Sequence, residues 1–213
     1  MATDLLIIFV KFPEPGKVKT RLAKSLGSEG AADAYRWLVA RVAENVVEPS
    51  GEWAIWVIFD PAEREGEVRE WLEPLFGASV SRYVPQADGD LGARLGGAFA
   101  AGFDAGFEKV AAIGTDCVDL GLEGIRHCWR SLEEHDVVFG PADDGGYYLV
   151  GLKSVCARLF TEVPWSHERT LEVSRGVAAS EGLSVAELEV LSDVDEIEQW
   201  EDIQRRRRHR VRS

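Results

Sequence analysis

The chain has 213 residues, of which 46% are hydrophobic and 29% are charged. This composition supplies enough apolar side chains for a folded core and excludes a disordered chain, and the length fits a single domain. The formal net charge of -13 argues against partners such as nucleic acids and anionic membranes, because an acidic protein repels them at long range.

The cysteines and the N-terminal segment indicate a compartment. Cys117, Cys128 and Cys156 show no CxxC spacing, so the sequence indicates neither a disulfide framework nor a zinc site. The first apolar run, "LLIIFV", has six residues, too few for a signal peptide or a membrane span. We therefore expect a soluble cytoplasmic protein.

The first predicted element is a buried strand over residues 5–10, and the loop "KFPEPGKVKTRL" follows it. The loop is neither a Walker A motif nor GxGxxG, but Pro13 stiffens it and Gly16 lets its backbone approach a ligand. Its cations lie where a helix begins, which favours binding of an anion such as a diphosphate over an ordinary solvated turn. These cations are Lys11, Lys17, Lys19 and Arg21.

Helices and strands then alternate through the middle of the chain. A helical pattern follows the candidate N-cap Ser28, a strand is predicted over 53–59, and a second helical pattern covers 68–75. The segment "QADGDLGARLGGAF" (86–99) starts a third helix. Glycines such as Gly92 weaken that helix. Either a ligand approaches closely there, with Arg94 contacting a phosphate or a base, or the glycines serve helix–sheet packing.

The segment "IGTDCVDL" ends a buried strand predicted over 110–114 and brings Thr115 and Asp116 to the edge of the sheet. A carboxylate at that edge can bind Mg²⁺ or Mn²⁺, which prefer oxygen ligands and bridge to phosphate oxygens. The alternative is helix capping. We favour capping for Asp119, which precedes a helical pattern over 122–132, but not for Asp116.

The segment "FGPADDGGYYLVGL" joins strands predicted over 136–140 and 147–152. A hairpin turn is the default interpretation of such a segment and accounts for Gly145 and Gly146. It accounts less well for the adjacent acids Asp143 and Asp144. One of them would orient an acceptor hydroxyl, act as a base or bind a metal ion.

The last predicted helix follows "LSDVDEIEQWEDI", in which Asp193 or Asp195 is expected to cap the helix while the other reaches a metal ion. Alternating strands and helices indicate an α/β fold, with three α/β/α layers and a mainly parallel, doubly wound sheet. Ligands of such sheets bind beyond the carboxyl ends of the strands. We therefore expect the site among the loops after residues 10, 59, 114 and 140.

Six arginines lie within residues 205–213, so the rest of the chain carries a charge of -13 - 6 = -19. We expect residues 1–204 to form one domain and residues 205–213 a flexible basic tail that does not bind nucleic acid.

Taken together, these motifs resemble a known family. "KFPEPGKVKTRL", "LGARLGGAF", "IGTDCVDL", "GPADDGGYYLVGL", "PWS" and "DVD" occur in this order, and over residues 5 to 203 they are similar to the bacterial GT-A-like nucleotide-diphospho-sugar transferases. That group includes glycosyltransferases assigned to arsenosugar biosynthesis and is related to 2-phospho-lactate guanylyltransferase. The resemblance implies a GT-A nucleotide-binding domain, a nucleotide or nucleotide-sugar donor, and a divalent cation, Mg²⁺ or Mn²⁺.

The resemblance also implies roles for residues of this chain. Asp116 matches the metal-binding aspartate, and Asp193 or Asp195 falls where related nucleotidyltransferases supply a second metal ligand. The phosphate-side loop is matched by Gly16, Lys17, Lys19 and Arg21, and the acceptor-side loop by Asp144, Gly145, Gly146 and Tyr147.

Three positions depart from the family pattern, which usually has Pro at Val118, Thr at His167 and Thr at Glu196. Val118 leaves the backbone before Asp119 freer. His167 either acts as an acid or base on the acceptor side, since an imidazole titrates near neutral pH, or is an inert loop residue.

These observations predict a metal-dependent glycosyltransferase that uses a nucleoside-diphosphate-activated sugar and an unidentified small-molecule acceptor. The opening loop and Arg94 would hold the diphosphate, Asp116 the metal ion, and Asp144 the acceptor. One alternative is nucleotidyl transfer from a nucleoside triphosphate to a phosphorylated acceptor, with release of pyrophosphate. The other is a nucleotide-binding module without catalysis.

Overall fold

The computed structural model describes residues 2–48 and 50–210, whose centre is a seven-stranded sheet. Its strands are β1 (Asp4–Lys11), β2 (Ala54–Asp60), β3 (Val80–Pro85), β4 (Lys109–Ile113), β5 (Val137–Pro141), β6 (Tyr147–Leu152) and β7 (Val185–Glu187). The strand order is β3-β2-β1-β4-β6-β5-β7. Six of these strands run in one direction, and β6 is antiparallel to its neighbours β4 and β5.

Helices cover both faces of the sheet, which confirms the predicted three-layer α/β/α fold. One face carries α1 (Ala23–Val46), α2 (Glu65–Phe76), α4 (Leu122–Glu134) and α7 (Ile197–Arg210), and the other carries α3 (Leu91–Asp104), α5 (Arg158–Thr161) and α6 (Thr170–Ser180). No helix of the described residues has both the length and the apolar character needed to cross a membrane.

Strand β1 shows why the apolar runs do not alternate with polar residues. Leu6 and Ile8 belong to the core on the α1 face, whereas Leu5 and Ile7 belong to the core on the α3 face. Because successive side chains of a strand point to opposite faces, a strand covered on both sides must be apolar at every position.

The hairpin predicted around Asp143–Gly146 is confirmed, since β5 and β6 pair there in antiparallel register. The prediction that Asp119 caps a helix is wrong. The residue at the N-cap of α4 is Gly121, and the carboxylate of Asp119 instead accepts hydrogen bonds from Arg206 at 2.9 and 3.1 Å.

The C-terminal basic segment is helical as far as Arg210, because α7 extends through it. Residues 211–213 lie outside the described residues. The flexibility expected for this tail stays a prediction, as does the division of the chain at residue 204.

Candidate active site

A cleft of about 810 Å³ lies at the carboxyl ends of the parallel strands. It is centred on β1 and β4, which are neighbours in the sheet although β2 and β3 lie between them in the sequence. The strand order reverses at this point, so the connections from the two strands diverge and leave a crevice between them. The loop after β1 and the loop after β4 therefore face each other across one opening.

The phenol of Tyr35 joins the ends of these two strands. This side chain projects from α1 and is 5% exposed. Its oxygen accepts a hydrogen bond from the backbone N–H of Lys11 at 2.9 Å and another from the hydroxyl of Thr115 at 3.1 Å. Burial, and then the charge of Asp116, raises the pKa of Tyr35 to about 12. Tyr35 is thus a neutral bridge that fixes the spacing of the two loops.

Lys19 occupies the centre of the charged region. Its ammonium lies 2.8 Å from a carboxylate oxygen of Asp116 and 2.7 Å from one of Asp195, and its side chain is 5% exposed. Its backbone is in the left-handed region at φ 46°, which is uncommon for a residue other than glycine and is frequent at functional sites. Burial lowers the pKa of Lys19, but the two carboxylates outweigh it and raise the pKa overall.

Asp193 is the most perturbed acid in the cleft. Burial raises its pKa to about 7, and the negative charges of Asp116, Asp144 and Asp195 add to this effect, while Lys19 opposes it. The four aspartates therefore share a single neighbourhood, in which Lys19 contacts Asp116 and Asp195. Either a proton on Asp193 or a further cation would relieve the repulsion among these carboxylates.

Backbone pairing brings the segment that carries Asp193 and Asp195 to the cleft. Leu191 donates its N–H to the carbonyl of Pro141 and accepts one from Asp143, and Val194 donates to the carbonyl of Asp116 at 3.0 Å. The segment is therefore held along the β5–β6 hairpin and then against the loop after β4. Residues about 80 positions apart in the sequence meet by this route.

The remaining residues of the opening loop divide into two groups. Lys11, Lys17 and Arg21 line the cleft with exposed side chains, and Arg21 lies 3.8 Å from Asp195. Pro13 and Gly16 do not line it. The carbonyl of Pro13 accepts a hydrogen bond from Arg36, and Gly16 makes a left-handed turn at φ 80°, so both shape the loop.

The two site residues predicted on α3 differ in their position relative to the cleft. Arg94 lines the cleft, where its guanidinium donates to the side chain of Gln86 at 2.8 Å and to the carbonyl of Gly89 at 3.1 Å. Gly92 lies outside the cleft lining. A Cβ there would come within 2.0 Å of the Phe160 carbonyl oxygen, so Gly92 permits close packing against α5, one of the two alternatives predicted for it.

The β5–β6 hairpin supplies Asp144, Gly146 and Tyr147 to the cleft. The carboxylate of Asp144 accepts a hydrogen bond from the N–H of Gly146 at 2.9 Å, and burial raises the pKa of Tyr147. Gly145 has φ 88° and lies directly beneath the carbonyl of Glu168, which leaves no room for a side chain.

Several cleft residues are absent from the sequence prediction. Among those to which the sequence pattern assigned no role are Tyr35, Gln86 and Trp165. Tyr35 and Trp165 look like core aromatics in the sequence, and Gln86 follows β3, a strand that no apolar run marks. The hydrogen bonds of Tyr35 join residues 24 and 80 positions away, and no local sequence pattern indicates such contacts.

The acids of the cleft suit a divalent cation that is partly held by a substrate. Among the described residues, no three His, Cys, Asp or Glu side chains are arranged to hold a metal ion by themselves. Mg²⁺ usually takes one or two protein carboxylates together with water and phosphate oxygens. Asp116 with Asp193 or Asp195 would provide such a set, and the carboxylates of Asp116 and Asp195 share the single ammonium of Lys19, which leaves negative charge for a cation to neutralise.

Comparison with known proteins adds a family to this geometry. Residues 44–167, more than half of the chain, match the family described as "uncharacterized protein conserved in bacteria (DUF2064)". The chain belongs to this family. No curated protein matches the chain.

Among solved structures, the chain is similar to a protein from Desulfovibrio desulfuricans G20, whose name provisionally assigns it to the nucleotide-diphospho-sugar transferases. The two share 30% identity with a TM-score of 0.83, over 92% of this chain and 84% of that one. The resemblance predicted from the motifs is thereby confirmed for the family and the fold.

More distant structures share the fold alone. A CMP:2-keto-3-deoxy-manno-octonic acid synthetase complexed with CTP is 10% identical with a TM-score of 0.62, covering 97% of this chain and 99% of that one. A 4-diphosphocytidyl-2C-methyl-D-erythritol synthase from Anaerococcus prevotii DSM 20548 is 11% identical with a TM-score of 0.60, covering 93% and 92%.

Proposed function

We propose that this protein is a transferase that binds a nucleoside-diphosphate sugar and moves the sugar to a hydroxyl of a small-molecule acceptor. The observation that carries the proposal is the separation of charge within one cleft. The exposed cations Lys11, Lys17 and Arg21 lie at the end of β1 and on the loop after it, and the acids Asp116 and Asp193 lie near Lys19.

The cationic loop suits the diphosphate. Within the described residues, neither Lys11 nor Lys17 has an acidic side chain within ion-pair distance, so both ammonium groups are free to pair with phosphate oxygens. Arg94 presents a guanidinium anchored by Gln86 on the α3 side of the cleft. An acidic protein needs such local cations, because its overall charge repels nucleotides.

The acids suit a divalent cation, which we propose as the cofactor. Asp116 would be one ligand, and Asp193 or Asp195 the second. When bound, Mg²⁺ or Mn²⁺ neutralises negative charge on the diphosphate. Lys19 would hold the carboxylates of Asp116 and Asp195 in place, since it already contacts both.

Asp144 is the proposed base. In the transfer, the bond between the sugar carbon and the phosphate oxygen breaks, and the acceptor oxygen forms a new bond to that carbon. Asp144 takes the proton of the acceptor hydroxyl, and the nucleoside diphosphate leaves. The hydrogen bond from Gly146 fixes one oxygen of the carboxylate and leaves the other available to the acceptor.

Nucleotidyl transfer is the second candidate, supported by the synthetases that share the fold at low identity. In that reaction a phosphorylated acceptor attacks a nucleoside triphosphate, and pyrophosphate leaves. The cationic loop would bind the triphosphate, so the same residues serve either chemistry. A module that binds nucleotide without turnover is the third candidate, and it has no separate structural support.

Product analysis distinguishes these candidates. The protein is incubated with Mn²⁺ and either sugar nucleotides or nucleoside triphosphates, together with a panel of small acceptors. The proposal predicts free nucleoside diphosphate from a sugar nucleotide. Release of pyrophosphate from a triphosphate would contradict it in favour of nucleotidyl transfer, and tight nucleotide binding without any product would favour the module without catalysis.

A further inference from the structure

The loop between α5 and α6 forms a rigid wall of the cleft. Thr170 is 5% exposed, and its hydroxyl lies 2.8 Å from the carbonyl oxygen of Pro164 and 2.6 Å from that of His167. The N–H of His167 points back to the same hydroxyl at 3.3 Å. Ser166 is held at φ 57°, a conformation that persists in a residue other than glycine only when its surroundings enforce it.

This wall presents His167 to the cleft with one defined tautomer. The ring Nδ1 lies 3.1 Å from the backbone nitrogen of Arg169 and accepts its N–H. In the neutral ring the proton must then be on Nε2, and none of the described residues accepts a hydrogen bond from Nε2. His167 lines the cleft, and its Nε2 is a hydrogen-bond donor, not a base.

His167 and Asp144 emerge from adjoining stretches of backbone. Gly145 lies under the carbonyl of Glu168, where a Cβ would be only 1.9 Å away, and the N–H of Leu171 donates to the carbonyl of Gly145 at 3.0 Å. Asp144 precedes Gly145, His167 precedes Glu168, and both residues line the cleft. The Nε2 donor of His167 and the carboxylate of Asp144 therefore border the same part of it.

The surroundings of this pair favour an uncharged guest. Asp144 has no ion-pair partner within the described residues, and Asp193 lies close enough for the two charges to interact. An anionic group placed beside the carboxylate of Asp144 would meet electrostatic repulsion. The ring of Trp165 stands edge-on to Tyr147 at 6.1 Å, with an interplanar angle of 81°. A wall of aromatic rings with a few directed polar groups is typical of small-molecule pockets.

We propose that His167 determines the specificity of the acceptor subsite, and that this subsite takes a neutral polyhydroxylated molecule, a sugar or a polyol. Nε2–H donates to one oxygen of the acceptor, Asp144 takes the proton of the reacting hydroxyl, and Trp165 and Tyr147 cover its carbon face. This inference rests on the proposed glycosyl transfer and goes beyond it, because it excludes phosphorylated and carboxylated acceptors.

Two substitutions of His167 distinguish the loss of the Nε2 hydrogen-bond donor from a disruption of the loop. His167→Asn keeps an oxygen at the position of Nδ1, which can accept the N–H of Arg169, but removes the donor at Nε2. His167→Gln places an amide N–H near the position of Nε2. His127→Asn makes the same chemical change on the exposed surface of α4 and serves as the control.

The experiment measures acceptor binding by saturation-transfer NMR in the presence of a nucleoside diphosphate. The buffer contains Mg²⁺ and no Mn²⁺. The probes are glycerol, glucose and mannitol, each compared with its phosphate ester, and glycerate. We expect signals from neutral probes with the wild type and His127→Asn. We expect affinity about tenfold weaker with His167→Asn, as for the loss of one hydrogen bond, and recovered with His167→Gln.

The outcomes also separate this inference from the proposed function. The inference is overturned if only phosphorylated or carboxylated probes bind, if no neutral probe binds, or if His167→Asn binds neutral probes like the wild type. Binding of the nucleoside diphosphate, followed in the same samples, should be unchanged in both His167 variants. A wild-type protein that does not bind the nucleoside diphosphate would instead contradict the proposed function.

Discussion

At the scale of single residues, Lys19 determines the charge balance of the cleft. It is the buried cation between two partly exposed carboxylates, so it both relieves their repulsion and fixes their positions. Its left-handed backbone is part of this placement, because an extended or helical residue would direct the side chain elsewhere.

Replacement of Lys19 by Met removes this cation while keeping most of its apolar stem. We expect the protein to lose about 1–2 kcal/mol of unfolding free energy, since two carboxylates lose their partner but stay accessible to water at about 40%. Urea denaturation monitored by tryptophan fluorescence measures this change.

The matched control is Arg21→Met, which removes a charge of the same sign from a side chain that is 65% exposed and 3.8 Å from Asp195. It should change stability by less than about 0.5 kcal/mol. Equal effects of the two substitutions would show that the buried pairing of Lys19 has no special importance.

At the scale of elements, the packing of α3 against α5 positions the part of the cleft wall that contains Trp165. The indole of Trp165 donates to the carbonyl of Phe160 at 3.2 Å, and both groups lie directly over Gly92. The absence of a side chain at this position therefore places the aromatic wall of the cleft.

Gly92→Ala should displace this wall. The added Cβ would lie 2.0 Å from the Phe160 oxygen and 2.3 Å from the Trp165 nitrogen, so the elements must separate, at a cost of about 1–3 kcal/mol. Gly97→Ala in the same helix is the control, because its nearest neighbour is 3.8 Å away.

The control should be neutral or stabilising by up to about 1 kcal/mol, since alanine is the better helix former. Thermal unfolding of the two variants compares them directly. A Gly92→Ala protein as stable as Gly97→Ala would mean that the packing of α3 on α5 is looser than described.

The strands that the sequence predicts are those buried on both faces. The central strands β1, β2, β4, β5 and β6 appear as continuous apolar runs, because helices cover both sides of the sheet. Strand β3 is half-exposed at one edge and reads "VSRYVP", and β7 has only three residues at the other edge. Neither has the apolar run on which the prediction depends, so both are missing from it.

The site could be predicted in part for a related reason. Asp116, Asp144 and the cations of the opening loop follow buried strands, and the topology of a doubly wound sheet brings such loops together. The contacts of Lys19 with Asp116 and Asp195, the hydrogen bonds of Tyr35 and the packing role of Gly92 depend on tertiary distances. No local pattern records those distances.

At the scale of the whole molecule, charge is distributed unevenly. The segment 205–213 holds six arginines, and its removal changes the net charge from -13 to -19. Arg206 pairs with Asp119 on the loop that also carries Asp116, and the guanidinium of Arg207 lies 5.8 Å from the ring of Trp37.

A protein that lacks residues 205–213 should still bind a nucleoside diphosphate within about twofold of the full-length affinity at physiological salt, where the Debye length is about 8 Å. Its stability should fall by about 1–2 kcal/mol, because exposed ion pairs and cation–π contacts contribute little each. Isothermal titration calorimetry and thermal unfolding measure the two quantities. A lost nucleotide signal in a folded truncated protein would assign the tail to the binding site.

The central claim is that a diphosphate and a divalent cation bind together in the cleft, with Asp116 as a ligand of the cation. Calorimetric titration of a nucleoside diphosphate into wild type and Asp116→Asn, with and without Mn²⁺, tests it most directly, with Asp104→Asn on the exposed end of α3 as the control. We predict binding that depends on Mn²⁺ in the wild type and the control, and affinity about 100-fold weaker in Asp116→Asn. An Asp116→Asn protein that binds with the affinity and Mn²⁺ dependence of the wild type would contradict the account.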